Sequence, residues 1–109
     1  MKVINRIKKT QDFGLAINKG KTFRLPSFIV HTRNNELGYT RVGISASSKL
    51  GCAVVRNRIK RQVRAMCDDI IDYNAQSLDI VIIIRKTFLS NDFNDNKSQL
   101  CDYLKGFLK

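Results

Sequence analysis

The sequence predicts an α+β domain, a two-layer sandwich of helices on one β-sheet. Three observations predict it. Apolar residues recur at helical spacing around residues 53–73 and 92–108, and alternate over residues 39–47. Ile80 to Ile84 is an unbroken run of β-branched aliphatics, suited to a strand buried on both faces. A chain of 109 residues with 43% hydrophobic content is the size of one domain, residues 1–109, with one core.

Residues 1–9 are basic (Arg6, Lys8, Lys9) and read as an extended N-terminal segment. Thr10 is a good N-cap, and Thr10 to Asn18 reads as a short helix with Phe13, Ala16 and Ile17 on one side. Lys19-Gly20 ends it. Thr22 to Thr32 reads as one strand, with Pro26 marking an edge or irregular start. After a turn around Asn34-Asn35 and Leu37-Gly38, Tyr39 to Ser47 alternates and reads as its hairpin partner. A long helix follows, from about Ala53 to Tyr73. Val55, Ile59, Val63, Met66 and Ile70 fall within about 80° on a helical wheel. Asp79 to Arg85 is a strand. A last amphipathic helix, from about Asp92 to Leu108, carries Leu100, Leu104, Phe107 and Leu108.

Net charge is +11 and unevenly placed. Residues 1–67 hold fifteen Lys/Arg against Asp12 and Glu36; residues 68–109 hold five against seven Asp. A basic field of that size in a small domain points to nucleic acid. No lipidation motif or separate basic amphipathic helix argues for a membrane, and no apolar h-region suggests a signal peptide. Cys52, Cys67 and Cys101 form no C-x-x-C pair, which reads as free thiols in a cytoplasmic protein.

The field is densest from Lys49 to Arg64, which contains no acidic residue. Arg56, Arg58, Lys60, Arg61 and Arg64 cover the side of the long helix opposite its apolar stripe. Four of the five are Arg, whose planar fork suits phosphate. Five or six phosphate contacts imply a log–log salt slope of magnitude roughly 4 to 5. Asn57, between two arginines, could cap, sit idle or contact RNA. No Asp/Glu cluster accompanies this helix to hold metals for phosphodiester cleavage.

Ile44 to Arg64, ISASSKLGCAVVRNRIKRQVR, closely resembles the signature of the bacterial ribonuclease P protein component. That signature runs from a G-x-S-x-S strand end through a Lys-x-Gly turn into A-V-x-R-N-R-I-K-R-x-x-R. Asn5, Arg6, Lys8, Lys9, Asp12, Phe13, Lys19-Gly20, Phe28, Arg41-Val42-Gly43 and the strand from Asp79 to Arg85 also fit the family. The resemblance implies the protein subunit of an endonuclease whose catalytic RNA removes the 5′ leader of precursor tRNA. Mg²⁺ would be bound by the RNA-containing holoenzyme, with no catalytic or metal-ligating residue on this chain. It implies an α-β-β-(β)-α-β-α order, with a further short strand and a left-handed βαβ crossover. The implied fold is of the kind found in the second domain of a small-subunit ribosomal protein. Catalytic-RNA contacts would fall on Arg56, Asn57, Arg58, Lys60, Arg61 and Arg64, joined by Lys49, Arg6, Lys8 and Lys9.

The leader of precursor tRNA would lie in a cleft at Phe13, Ile17, His31 and Ser45. Ile17 stands where relatives often carry Phe, and His31 where they often carry Tyr, which reduces base stacking. Ser48 replaces a usual Lys and Cys52 a usual Asn. Phe13 serves equally well as a core residue, and a lone strand histidine is commonly structural. A monomeric free protein is expected. The competing reading is another small basic RNA-binding module, a ribosomal protein or RNA chaperone, with no part in cleavage.

Overall fold

The computed structural model describes residues 2–105. Its elements are α1 (Thr10–Lys19), β1 (Lys21–Arg24), β2 (Phe28–Asn34), β3 (Arg41–Ser45), α2 (Ala53–Ile70), β4 (Leu78–Ile84) and α3 (Phe93–Lys105). Short 3-10 turns lie at Val3–Asn5, Ser48–Leu50 and Lys86–Ser90. The four strands form one sheet in the order β1-β2-β4-β3.

The aliphatic run of β4 explains that order. A strand apolar on both faces is stable only where both faces are covered, and β4 takes a central place. It pairs antiparallel with β2 (Val30 opposite Ile82) and parallel with β3 (Ile44 opposite Ile82). The expected β2–β3 hairpin does not form, because β4 lies between them. The predicted strand from Thr22 to Thr32 is two strands. A turn at residues 25–27, closed by Leu25 N–H to the Phe28 carbonyl, folds β1 back antiparallel on β2. Pro26 marks that turn, where its missing N–H costs no ladder bond.

Alternation sorts the side chains onto two faces. On one, Phe28, Val30, Val42, Ile80, Ile82 and Ile84 pack with Ile59, Val63, Met66 and Cys67 of α2 and with Leu100 and Leu104 of α3. Burying Ile59, Val63 and Met66 is worth about 1.5–3 kcal/mol each. Val55 and Ile70 pack at the edge of this core. On the opposite face, Ala16 and Phe13 of α1 pack with Ile7, Val81 and Ile83.

Element ends depart from the sequence reading in small ways. The α2 helix stops at Ile70; Ile71 is extended and Tyr73 accepts the Thr40 N–H, tying the segment to the start of β3. The α1 cap is Lys9, whose carbonyl accepts the Asp12 and Phe13 N–H groups, and Thr10 is the first helical residue. Phe107 and Leu108 lie outside the described residues. The N-terminal segment is not simply extended. After the 3-10 turn, Arg6 bridges parallel to Val42 and Ile7 N–H bonds the Val42 carbonyl, along the outer edge of β3. Buried Asn5 pins it by donating to the Thr40 carbonyl at 2.9 Å.

Candidate nucleic-acid interface

The basic face of α2 is built by its entry and its packing. Lys49 stands exposed in the Ser48–Leu50 turn. Gly51 follows with φ 139°, a conformation that side chains disfavour. A Cβ there would also approach Val55 to 3.3 Å. With Ile59 and Val63 turned into the core, Asn57, Arg58 and Arg61 are exposed, and Arg56, Lys60 and Arg64 are half-buried at the flanks.

Among the described residues these cations have no ion-pair partner. Ion pairs among the described residues join Arg41 to Asp12 and Asp79, and Lys97 to Asp69; none involves a cation of α2. The Arg56 Nε is buried with no hydrogen-bond partner among them. The edge bridge of residue 6 brings a further cation to this face. Arg64 holds its proton less tightly than an ordinary arginine, first because it is partly buried and then because the charge of Arg6 is near. The charge of Arg6 acts on the Asp68 carboxylate of α2 as well. Lys8 and Lys9 are exposed on the same N-terminal segment, just ahead of α1.

A second group of candidate residues lies on the α1 side of the sheet. The registers place His31, Val81 and Gly43 in one row across it, and Ile29, Ile83 and Ser45 in the next. Thr22 and Arg24 of β1 extend these two rows. The Phe13 ring covers Gly43, and Ile17, one turn on along α1, is exposed. Phe13, Ile17, His31 and Ser45 therefore all belong to this face. They differ in availability: Ser45 is exposed, Phe13 half-buried, and His31 only 7% exposed. The His31 Nδ1 is 2.9 Å from the Thr22 hydroxyl. Burial, and then the charge of Arg24, hold its pKa below the ordinary histidine value. His31 is a neutral, hydrogen-bonded part of the floor.

The same face is clamped at its other end. Asp79, buried on β4, accepts Arg41 Nη2 at 2.7 Å and Nε at 2.9 Å, and Asn35 Nδ2 at 2.8 Å. Arg41 Nη1 reaches Asp12 of α1 at 3.3 Å. One arginine thus ties α1 to the central strand.

Sequence reading missed two contributors to this region. Arg24 was hidden by the merging of β1 and β2; the exposed Lys-Thr-Phe-Arg stretch before Pro26 was the signal for a separate edge strand. The Arg41–Asp79–Asp12 link joins residues distant in sequence. An acid at the start of an aliphatic strand was its only trace. Among the described residues no three His, Cys, Asp or Glu side chains gather into a metal-holding group. No helix among them is long and apolar enough to cross a membrane.

Comparison with known proteins converges on one family. The family model described as Ribonuclease P matches residues 1–107. The ribonuclease P protein component of Mesoplasma florum is 42% identical over 104 residues, covering 94% of each chain. That of Listeria welshimeri is 39% identical over 106 residues, 96% of this chain and 89% of the relative. Among solved structures, the Staphylococcus aureus RNase P protein superposes with TM-score 0.83 at 36% identity, covering 93% of each chain. The Thermotoga maritima RNase P protein gives TM-score 0.79 at 33% identity, over 93% of this chain and 96% of that one.

Proposed function

The chain belongs to the ribonuclease P protein family, and we propose that it binds the catalytic RNA of the holoenzyme through α2 and the 5′ leader of precursor tRNA through the α1 cleft. The observation that carries this reading is the unpaired basic face of α2, to which the edge bridge adds Arg6 beside Arg64. Arg56, Asn57, Arg58, Lys60, Arg61 and Arg64, with Lys49, Arg6, Lys8 and Lys9, neutralise phosphates of structured RNA. They thereby lower the repulsion between catalytic RNA and substrate. The leader lies extended over Ile29, Ile83 and Ser45, against Phe13 and Ile17. His31 shapes the floor and moves no proton. Cleavage chemistry, with the Mg²⁺ it uses, belongs to the RNA. The protein works in the cytoplasm as a monomer until it meets that RNA.

Precursor-tRNA cleavage at low Mg²⁺ tests this directly, using protein alone, catalytic RNA alone, and both together. Only the combination is expected to cleave efficiently. Cleavage by the protein alone would place the chemistry on this chain. Activity that fails to rise when protein joins the RNA would favour an RNA-binding role unconnected with cleavage. Arg58→Ala with Arg61→Ala should lower affinity for the catalytic RNA and flatten its log–log salt slope by about 1 to 2, with the circular dichroism unchanged because both side chains are exposed.

A further inference from the structure

We propose that the groove between α2, the Lys86–Ser90 turn and α3 holds one unpaired nucleotide of the RNA bound along α2. The proposal rests on the RNA-binding reading of α2 and extends it to a surface that the charge pattern does not mark.

The groove carries three kinds of group that a nucleotide recognises together. Leu89 and Phe93 form an apolar wall and are 50% and 38% exposed. Gln62 supplies an amide that makes no hydrogen bond within the described residues. Arg58 lines the α2 side, exposed and without an ion-pair partner among the described residues. The groove is preformed, because Asn96 beneath it is buried and hydrogen-bonded through both its oxygen and its nitrogen. Its Oδ1 accepts the Ser27 hydroxyl at 2.6 Å and its Nδ2 donates to the Phe88 carbonyl at 3.1 Å. Asn91 is fixed likewise, donating to Ser27 Oγ at 3.2 Å.

Charge chooses the occupant and its direction. A second copy of a chain of net charge +11 would bring more cations to Arg58. A purely apolar segment would leave both Arg58 and Gln62 unused. A nucleotide offers a flat π-face to Phe93, base-edge donors and acceptors to Gln62, and a phosphate to Arg58. Asp92 and Asp95 stand at the start of α3, with Asp92 Oδ1 accepting the Asp95 N–H at 2.8 Å. Their charge keeps the phosphate on the α2 side. The groove volume of about 260 Å³ is large against the ~30 Å³ of one water. That is room enough for the edge of a single base.

Two measurements test the proposal on the full chain. In the first, isotope-labelled protein is titrated with adenosine 5′-monophosphate and, separately, with ribose 5-phosphate, while Leu89 methyl and Gln62 side-chain amide resonances are followed. The monophosphate should move both sets of signals and ribose 5-phosphate should not. Equal or absent responses would overturn the proposal. In the second, Phe93→Leu keeps an apolar residue at the start of α3 but removes the ring. Its affinity for the catalytic RNA should fall at least about fivefold, the lower end of one stacked base. Wild-type affinity in Phe93→Leu, with Arg58→Ala plus Arg61→Ala still weakened, would remove the groove and leave the α2 reading standing. Wild-type affinity in both variants would remove both. A concentration-dependent mass that Phe93→Leu abolishes would show that a second copy fills the groove, and the nucleotide proposal would fall.

Discussion

The Phe13 ring lies directly over the Cα of Gly43, so close that a Cβ at position 43 would come within 2.5 Å of its Cζ. The absence of a side chain on β3 is what lets α1 sit down on the sheet. Gly43→Ala should therefore destabilise the protein by about 1–3 kcal/mol, the usual cost of overpacking. The cost should shrink in a Phe13→Leu background, because the two positions share one space. Urea unfolding of the single and double variants measures both. Additive losses would show that the contact is not what sets α1 in place.

The buried end of the clamp should dominate its exposed end. Asp79→Ala leaves Arg41 partly buried without its bidentate partner, and a loss of about 3–5 kcal/mol is expected. Asp12 is more exposed and meets Arg41 at the longer distance of 3.3 Å, so Asp12→Ala should cost less than about 1 kcal/mol. Thermal unfolding of the two variants ranks them, and a larger loss for Asp12→Ala would contradict this account.

His31 makes stability pH-dependent in a definite direction. Its folded pKa lies below the ordinary value of 6.5 because of burial and then Arg24, so the folded protein favours the neutral ring. The unfolded chain takes up the proton first as pH falls. This contribution to stability is whole above the unfolded pKa and is lost as pH drops through 6.5 toward the lowered folded value. The urea midpoint should fall between about pH 7.5 and about pH 5.5, and fall less in His31→Gln. Equal falls in the two proteins would assign the effect to other groups.

The three thiols should react in a fixed order. Cys52 caps α2, fully exposed, and the Val55 and then Val54 N–H groups hold its pKa below the ordinary thiol value. Cys67 is buried and pushed up to about 12 by desolvation, and Cys101 is half-buried. Iodoacetamide at neutral pH should label Cys52 first and Cys67 last, read by peptide mass spectrometry. Catalytic RNA should slow the labelling of Cys52, and an unchanged rate would show that RNA leaves the start of α2 open.

The α2 helix and its two faces were legible because a long amphipathic period over-determines them: Ile59, Val63 and Met66 inside and Arg58 and Arg61 outside admit one orientation. The Ile80–Ile84 run likewise announced a strand covered on both faces. Strand pairing was not legible, since alternation in residues 41–45 says which side chains share a face and nothing about the neighbour across the ladder. The resemblance implied the extra strand that Pro26 conceals, and the structure has it as β1. At the candidate cleft, the row shared by His31, Val81 and Gly43 depends on register. The Thr22 contact that occupies His31 depends on the β1 turn. Neither leaves a periodic trace in the sequence.

Because β4 sits between β2 and β3, the sheet cannot be completed by any growing chain that stops short of residue 84. A ribosome that has released residues 1–67 has already made Arg6, Lys49 and every cation of α2, with only Asp12 and Glu36 against them. At that stage β3 has no strand partner and the apolar stripe of α2 has half a floor. The nascent protein is thus strongly basic before its sheet can close. Synthesis of residues 78–84 supplies the central strand, and only then can the sheet close.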